Sequence, residues 1–158
     1  MLETLGQSEL FAGLPEPAWR ELEGLGRRRA VAAGETLFRI GDDAREFHVI
    51  RRGRLELTFP LAVMGETKET RFQSLEAGRT VAWSALVPPH RLTMSARAST
   101  DAELLSFERV PVLEHLARRP DVGFVVMGNL SRVVAARLHE VLALWLREVQ
   151  RNVSHTYR

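Results

Sequence analysis

The hydrophobic pattern of this 158-residue chain changes period once, after Phe107, and that change limits the folds open to it. Between Arg29 and Phe107, short alternating or β-branched runs follow one another: "RAVAA", "TLFRI", "EFHVIRR", "RLELTFPLAV", "TRFQSL", "RLTMSARA" and "AELLSF". Gly34, "GDDA", Gly53, "MGETKE" and "EAGR" separate them as turns. Many short strands at close spacing predict a sandwich or jelly roll rather than a βαβ sheet. Beyond Phe107 the period becomes helical. "VPVLEHLARRP" predicts a short helix between Pro111 and Pro120, and residues 121–150 predict one long helix or two broken near Gly128-Asn129.

The N-terminal segment, residues 8–28, reads as helical pieces, with Ser8 as a cap and Pro15 and Pro17 at the start of a second helix. The expected organisation is therefore one domain, 1–158: N-terminal helices over 8–28, a β-roll over 29–108 and C-terminal helices over 109–150. At 45% apolar and 27% charged residues the chain has the makeup of a globular domain. It has no cysteine, which removes disulfides, thiolate metal sites and cysteine nucleophiles. No apolar run has the length of a membrane span, and the N-terminus lacks a signal-peptide pattern, so the expected address is the cytoplasm.

The segment 31–57, "VAAGETLFRIGDDAREFHVIRRGRLEL", resembles the opening half of the cyclic nucleotide-binding domain family. A glycine before a strand (Gly34), a Gly-Asp turn (Gly41-Asp42) and a glycine after an aliphatic strand (Gly53) recur there in this order, and here "SLEAGRTVAWSAL" follows. The resemblance covers residues 8–148 and implies an α+β, mainly β fold. That fold is an eight-stranded antiparallel jelly roll flanked by N-terminal helices and a long C-terminal helix. It also implies that the last helix pairs across a dimer axis in the catabolite-activator branch. Leu130, Val134, Leu138, Val141 and Trp145 are the residues expected on that helix seam, within a stripe that Met127 and Val149 extend. The twelve residues after Leu146 are too few for a DNA-reading module.

The family holds its nucleotide with a cassette. A glycine lets the backbone approach, a glutamate accepts from the ribose hydroxyl, and an arginine forks onto the phosphate. Aligned from the strand "SARA", this chain places Ala82 at the glycine, Trp83 at the glutamate and Leu92 at the arginine. Ser84, Ala85, Leu86 and Thr93 complete the divergent ligand-binding set, and Arg91 lies one residue from the arginine position, within reach of a one-residue bulge. Loss of both charged contacts removes on the order of 1.5–3 kcal/mol each. Trp83 either fills the pocket or forms a wall for a different ligand, apolar or planar.

Three functions follow from these residues. The first is a non-enzymatic sensor that signals through a homodimer helix, its divergent pocket not tuned to cyclic AMP or cyclic GMP and open to another small organic ligand; its alternative is a genuine cyclic nucleotide binder that uses Arg91. The second is a ligand-free module, its pocket filled by Trp83, that regulates a protein partner. The third is a metal enzyme of the cupin type, which needs clustered histidines. His48, His90, His115, His139 and His155 are scattered, so no metal ligands and no catalytic residues are assigned. The basic runs at 27–29, 51–54 and 118–119 are diluted by acids and read as solvated faces.

Overall fold

The sequence folds as its change of period predicts. The computed structural model describes residues 1–156. After a single 3-10 turn at Leu5–Gln7 come α1 (Glu16–Glu23), β1 (Gly26–Val31), β2 (Thr36–Phe38), β3 (Glu46–Arg52), β4 (Leu55–Val63) and β5 (Glu66–Leu75). Then come β6 (Thr80–Val81), β7 (Ser95–Ala98), β8 (Ala102–Glu108), α2 (Arg109–Arg118) and α3 (Pro120–Thr156). Two antiparallel sheets face each other, in the orders β1-β8-β3-β6 and β2-β7-β4-β5. This is an eight-stranded jelly roll with helices at both ends.

Three local expectations need correction, and one open alternative is resolved. Ser8 does not cap a helix: its hydroxyl donates to the Leu5 carbonyl at 2.7 Å and closes the 3-10 turn behind it. The roll begins at Gly26 rather than Arg29, because Gly26 pairs with Phe107 at the end of β8. In "RLTMSARA" only Ser95–Ala98 is strand, and Arg91 contributes a lone bridge to Asp43. The last helix is unbroken at Gly128-Asn129. Asn129 anchors it instead, its amide donating to the carbonyls of Leu10 (3.0 Å) and Ala12 (2.8 Å). In the N-terminal segment, α1 starts behind Pro15 and buries Ala18 and Leu22, as the proline positions predict.

The core has two parts. Phe47 and Phe107 stack across β3 and β8 at 4.9 Å, and Phe11 packs on Phe107 at 5.6 Å, which joins the N-terminal segment to the roll beneath α2 and α3. Val31, Ile50, Leu55, Leu75 and Leu104 fill the other end, between the sheets. The basic runs are largely paired with acids. Arg27 binds Glu46, Arg51 reaches Glu23 and Glu103, Arg54 binds Glu76, and Arg119 binds Glu21 and Asp121.

Gly53 turns the chain from β3 to β4 at φ +85°, and a Cβ there would collide with the Asp101 carbonyl and lie 2.7 Å from Ala102 Cα. Gly41 has a similar φ of +87° and open space around it. Gly53→Ala should therefore cost about 3 kcal/mol or more, and Gly41→Ala only about 1 kcal/mol, measured by denaturant unfolding.

His48 is buried, shares a 2.8 Å hydrogen bond with Ser106 Oγ and stacks on Phe38. Burial, reinforced by Arg29 and Arg27, pushes its imidazole down to about 3. The unfolded chain therefore binds a proton that the folded one refuses, and stability falls as pH drops from the unfolded value of 6.5 toward 3. Between pH 7 and about 5 this group should remove about 2 kcal/mol of stability, and a His48→Gln protein should lose that much less over the same interval.

Candidate functional site

β6 delivers the chain into the cassette. At its end Ala82 is buried and left-handed, φ 59° and ψ 32°, a conformation that suits glycine. A 3-10 turn over Trp83–Leu86 follows, closed by the Ala85 N–H on the Ala82 carbonyl at 3.0 Å. Ser84, Ala85 and Leu86 are buried, and Ala85 and Leu86 belong to the core that Phe11 and Phe107 share. The backbone geometry of a cradle is thus retained on an alanine.

The loop after it returns beside the Gly41-Asp42 turn. Leu92 N–H donates to the Asp42 carbonyl at 3.0 Å, and Gly41 N–H donates to the Leu92 carbonyl at 2.8 Å. This pair of bonds fixes the register: Leu92 is buried and lines the cavity, and Arg91 is exposed. Arg91 donates through Nη1 to the Gly41 carbonyl at 3.2 Å and is not among the cavity's lining residues. No bulge brings Arg91 inward.

Inside the cassette is a cavity of about 260 Å³, bounded by Phe38, Leu57, Phe72, Trp83, Leu92 and the face of α3 at Val134, Arg137, Leu138 and Val141. Trp83 is half-buried and stands as a wall, with space left beside it. Ala82, Ser84 and Thr93 also line this space; Ala85 and Leu86 lie behind it in the core. A second depression of about 560 Å³ lies across the wall formed by Phe38 and Leu92. Its charges are largely answered within the protein, Arg27 by Glu46 and both Arg45 and Arg109 by Asp43.

The predicted seam of α3 divides. Leu130 is buried in the protomer's own core, 3% exposed, and Val134 is half-buried against it. Leu138 (57%) and Trp145 (60%) stand in the open, as do Val141 and Leu142. Among the described residues no three histidines or carboxylates meet at metal-ligating distance, and the His155 side chain lies outside those residues. Among the described residues no helix is long and apolar enough to cross a membrane.

Arg137 was missed from the sequence. It follows Leu130, Val133 and Val134 at helical spacing, so it interrupts an apolar row on the face that meets the roll. That interruption was the available signal. Its side chain is buried and reaches Glu9 at 3.8 Å and Glu140 at 3.7 Å.

The alanine at the left-handed position is strained by about 1–2 kcal/mol, partly offset by the greater freedom glycine has when unfolded. Ala82→Gly should therefore raise stability by about 0.5–1 kcal/mol. Trp83→Ala should cost about 1–2 kcal/mol in the same unfolding measurement, against about 3–5 for an aromatic that fills a core.

A profile of the family described as the cyclic nucleotide-binding domain matches residues 28–119. Among solved structures, a cyclic nucleotide-binding domain from Methylobacillus flagellatus KT is 20% identical, with a TM-score of 0.79 over 93% of this chain and 81% of that one. The Thermus thermophilus catabolite activator protein is 27% identical, with a TM-score of 0.73 over 89% of this chain and 63% of that one. The N-terminal domain of a transcriptional regulator from Streptomyces coelicolor A3(2) is 24% identical, with a TM-score of 0.68 over 89% and 94%. These structures share the fold with this chain. No protein of curated function matches it in sequence.

Proposed function

From the premise that this chain belongs to the cyclic nucleotide-binding domain family, we propose that it is a non-enzymatic sensor for a small molecule other than a cyclic nucleotide, signalling through α3. One observation carries the reading. The cassette borders an open cavity lined by Trp83 and Leu92, the residues that the sequence resemblance aligns with the family's ribose and phosphate contacts. Cyclic AMP entering this cavity would lose two charged hydrogen bonds, on the order of 10²- to 10⁴-fold in affinity. An apolar ligand would gain contact with Phe38, Phe72 and Trp83 instead.

Because α3 forms one wall of the cavity, a ligand there touches the helix directly through Val134 and Val141. It shifts the helix only to the extent that it binds one helix position better than another. Beyond Val141 the exposed apolar residues Leu142, Trp145 and Leu146 are more than one helix face needs for solvent. They form the dimer seam in this reading, so that occupancy of the cavity is passed to the partner protomer.

Two measurements test it. Isothermal titration with cyclic AMP at about 0.1 mM should show no uptake, and hydrogen exchange across α3 should not change. Saturable binding with new protection in α3 would return the protein to the nucleotide sensors. Analytical ultracentrifugation should find a dimer that Trp145→Glu shifts toward monomer; a monomer in the unsubstituted protein would remove the seam.

A further inference from the structure

The cavity is largely apolar, with the hydroxyl residues Ser84 and Thr93 also on its lining, and its charged side chain stands at one end. There Arg137 projects from α3, 6% exposed, and Nε, Nη1 and Nη2 all lie buried without a hydrogen-bond partner. A guanidinium has five N–H donors in a planar fork, and leaving them unmet inside a protein is costly. The neighbouring carboxylates do not meet them. Glu9 is held by Arg79 at 3.1 Å and by the Thr80 N–H at 2.7 Å, and stands 3.8 Å from Arg137. Glu140 accepts from the Gln73 amide through Oε1 at 3.0 Å, and its Oε2, also buried without a hydrogen-bond partner, stands 3.7 Å from Arg137 Nη1, an ion pair by charge but too long for a hydrogen bond. The Thr80 hydroxyl, which faces the same space, is also buried without a partner.

These groups set out the chemistry of an occupant. The fork matches a carboxylate, which accepts two parallel N–H bonds. Glu9 and Glu140 close by oppose a doubly charged anion and favour a single charge. Away from Arg137, Phe38, Phe72, Trp83 and Leu92 offer only apolar surface. The volume of about 260 Å³ equals about nine waters at ~30 Å³ each, which is room for a molecule of roughly ten heavy atoms.

We propose that the cavity binds a small monocarboxylic acid with an apolar body, its carboxylate on Arg137 and its body against Trp83 and Phe72. This rests on the reading of the cavity as a ligand site and adds the ligand's class. It also moves the anion contact from the cassette loop to α3. The charge of the ligand thereby falls on the element that carries the signal. Burial draws the Arg137 guanidinium below its ordinary value; Glu9 opposes that, Arg79 adds to it and Glu140 opposes it. An added carboxylate strengthens the opposing side.

The test is isothermal titration of the full chain with two acids and their neutral twins: octanoate against octanol, and phenylpropionate against phenylpropanol. At least one acid should bind about 10- to 100-fold more tightly than its alcohol. Arg137→Gln should erase that advantage and leave the alcohol's affinity within about twofold, and Arg137→Lys should keep part of the advantage. Equal affinity of acid and alcohol in the unsubstituted protein, an advantage that survives Arg137→Gln, or no binding by any of the four overturns the assignment.

Should Arg137→Gln not fold, Val134→Trp serves as the second variant, since it fills the cavity with Arg137 intact. Loss of acid binding there supports the site; retained binding puts the acid elsewhere and overturns it. Cyclic AMP, titrated in parallel, separates the two levels. Its tight uptake would defeat the proposed function, whereas a vanished acid preference defeats only the role of Arg137.

Discussion

The stack of Phe47 on Phe107, with Phe11 against it, is the contact on which the rest of the molecule depends. It sits where β3, β8, the N-terminal segment and the helices converge. Three buried aromatic rings supply the apolar area that closes one end of the roll. Asn129 then ties α3 to the same N-terminal segment through two carbonyls. With the first part of α3 fixed in this way, Val134, Arg137 and Val141 are placed over the cassette. The helix becomes one wall of the cavity and extends past the roll with an apolar face uncovered.

The other end of the roll is filled by the cluster around Ile50, Leu55 and Leu104, and the cavity lies beside it, between the small Ala82, the side chains of Phe38, Phe72, Trp83 and Leu92, and the face of α3. In the cyclic nucleotide-binding family such a space holds a ligand by polar contacts from the cassette loop. Here Ala82 is left-handed, and Trp83 and Leu92 line the cavity at the positions that the sequence resemblance aligns with those contacts.

Much of this was legible in the sequence, and the limits have physical causes. The roll, its turn glycines and the long helix were readable because turn residues and hydrophobic period are local properties. The two-residue β6 was not, since two residues carry no period. The continuity of α3 through Gly128-Asn129 was decided by carbonyls more than a hundred residues away, which no local signal contains. Leu92 in the cavity and Arg91 outside it rest on the pair of bonds to Gly41 and Asp42, so a one-residue ambiguity in sequence was resolved only by the turn opposite. Whether Trp83 fills the cassette or walls it was open in the sequence, because its half-buried place beside the cavity depends on Phe38, Phe72 and α3 standing around it. Arg137 was hidden within a helix whose apolar stripe drew attention to the outer face.

The open cavity between Trp83 and Arg137 accepts an acid if the assignment holds. A crystal structure of the protein grown with octanoate tests it most directly. The carboxylate should lie within hydrogen-bond distance of the Arg137 guanidinium, the chain along Trp83 and Phe72, and Arg91 should still be turned outward. A Trp83 indole rotated into the cavity, or octanoate bound only elsewhere on the surface, would contradict it.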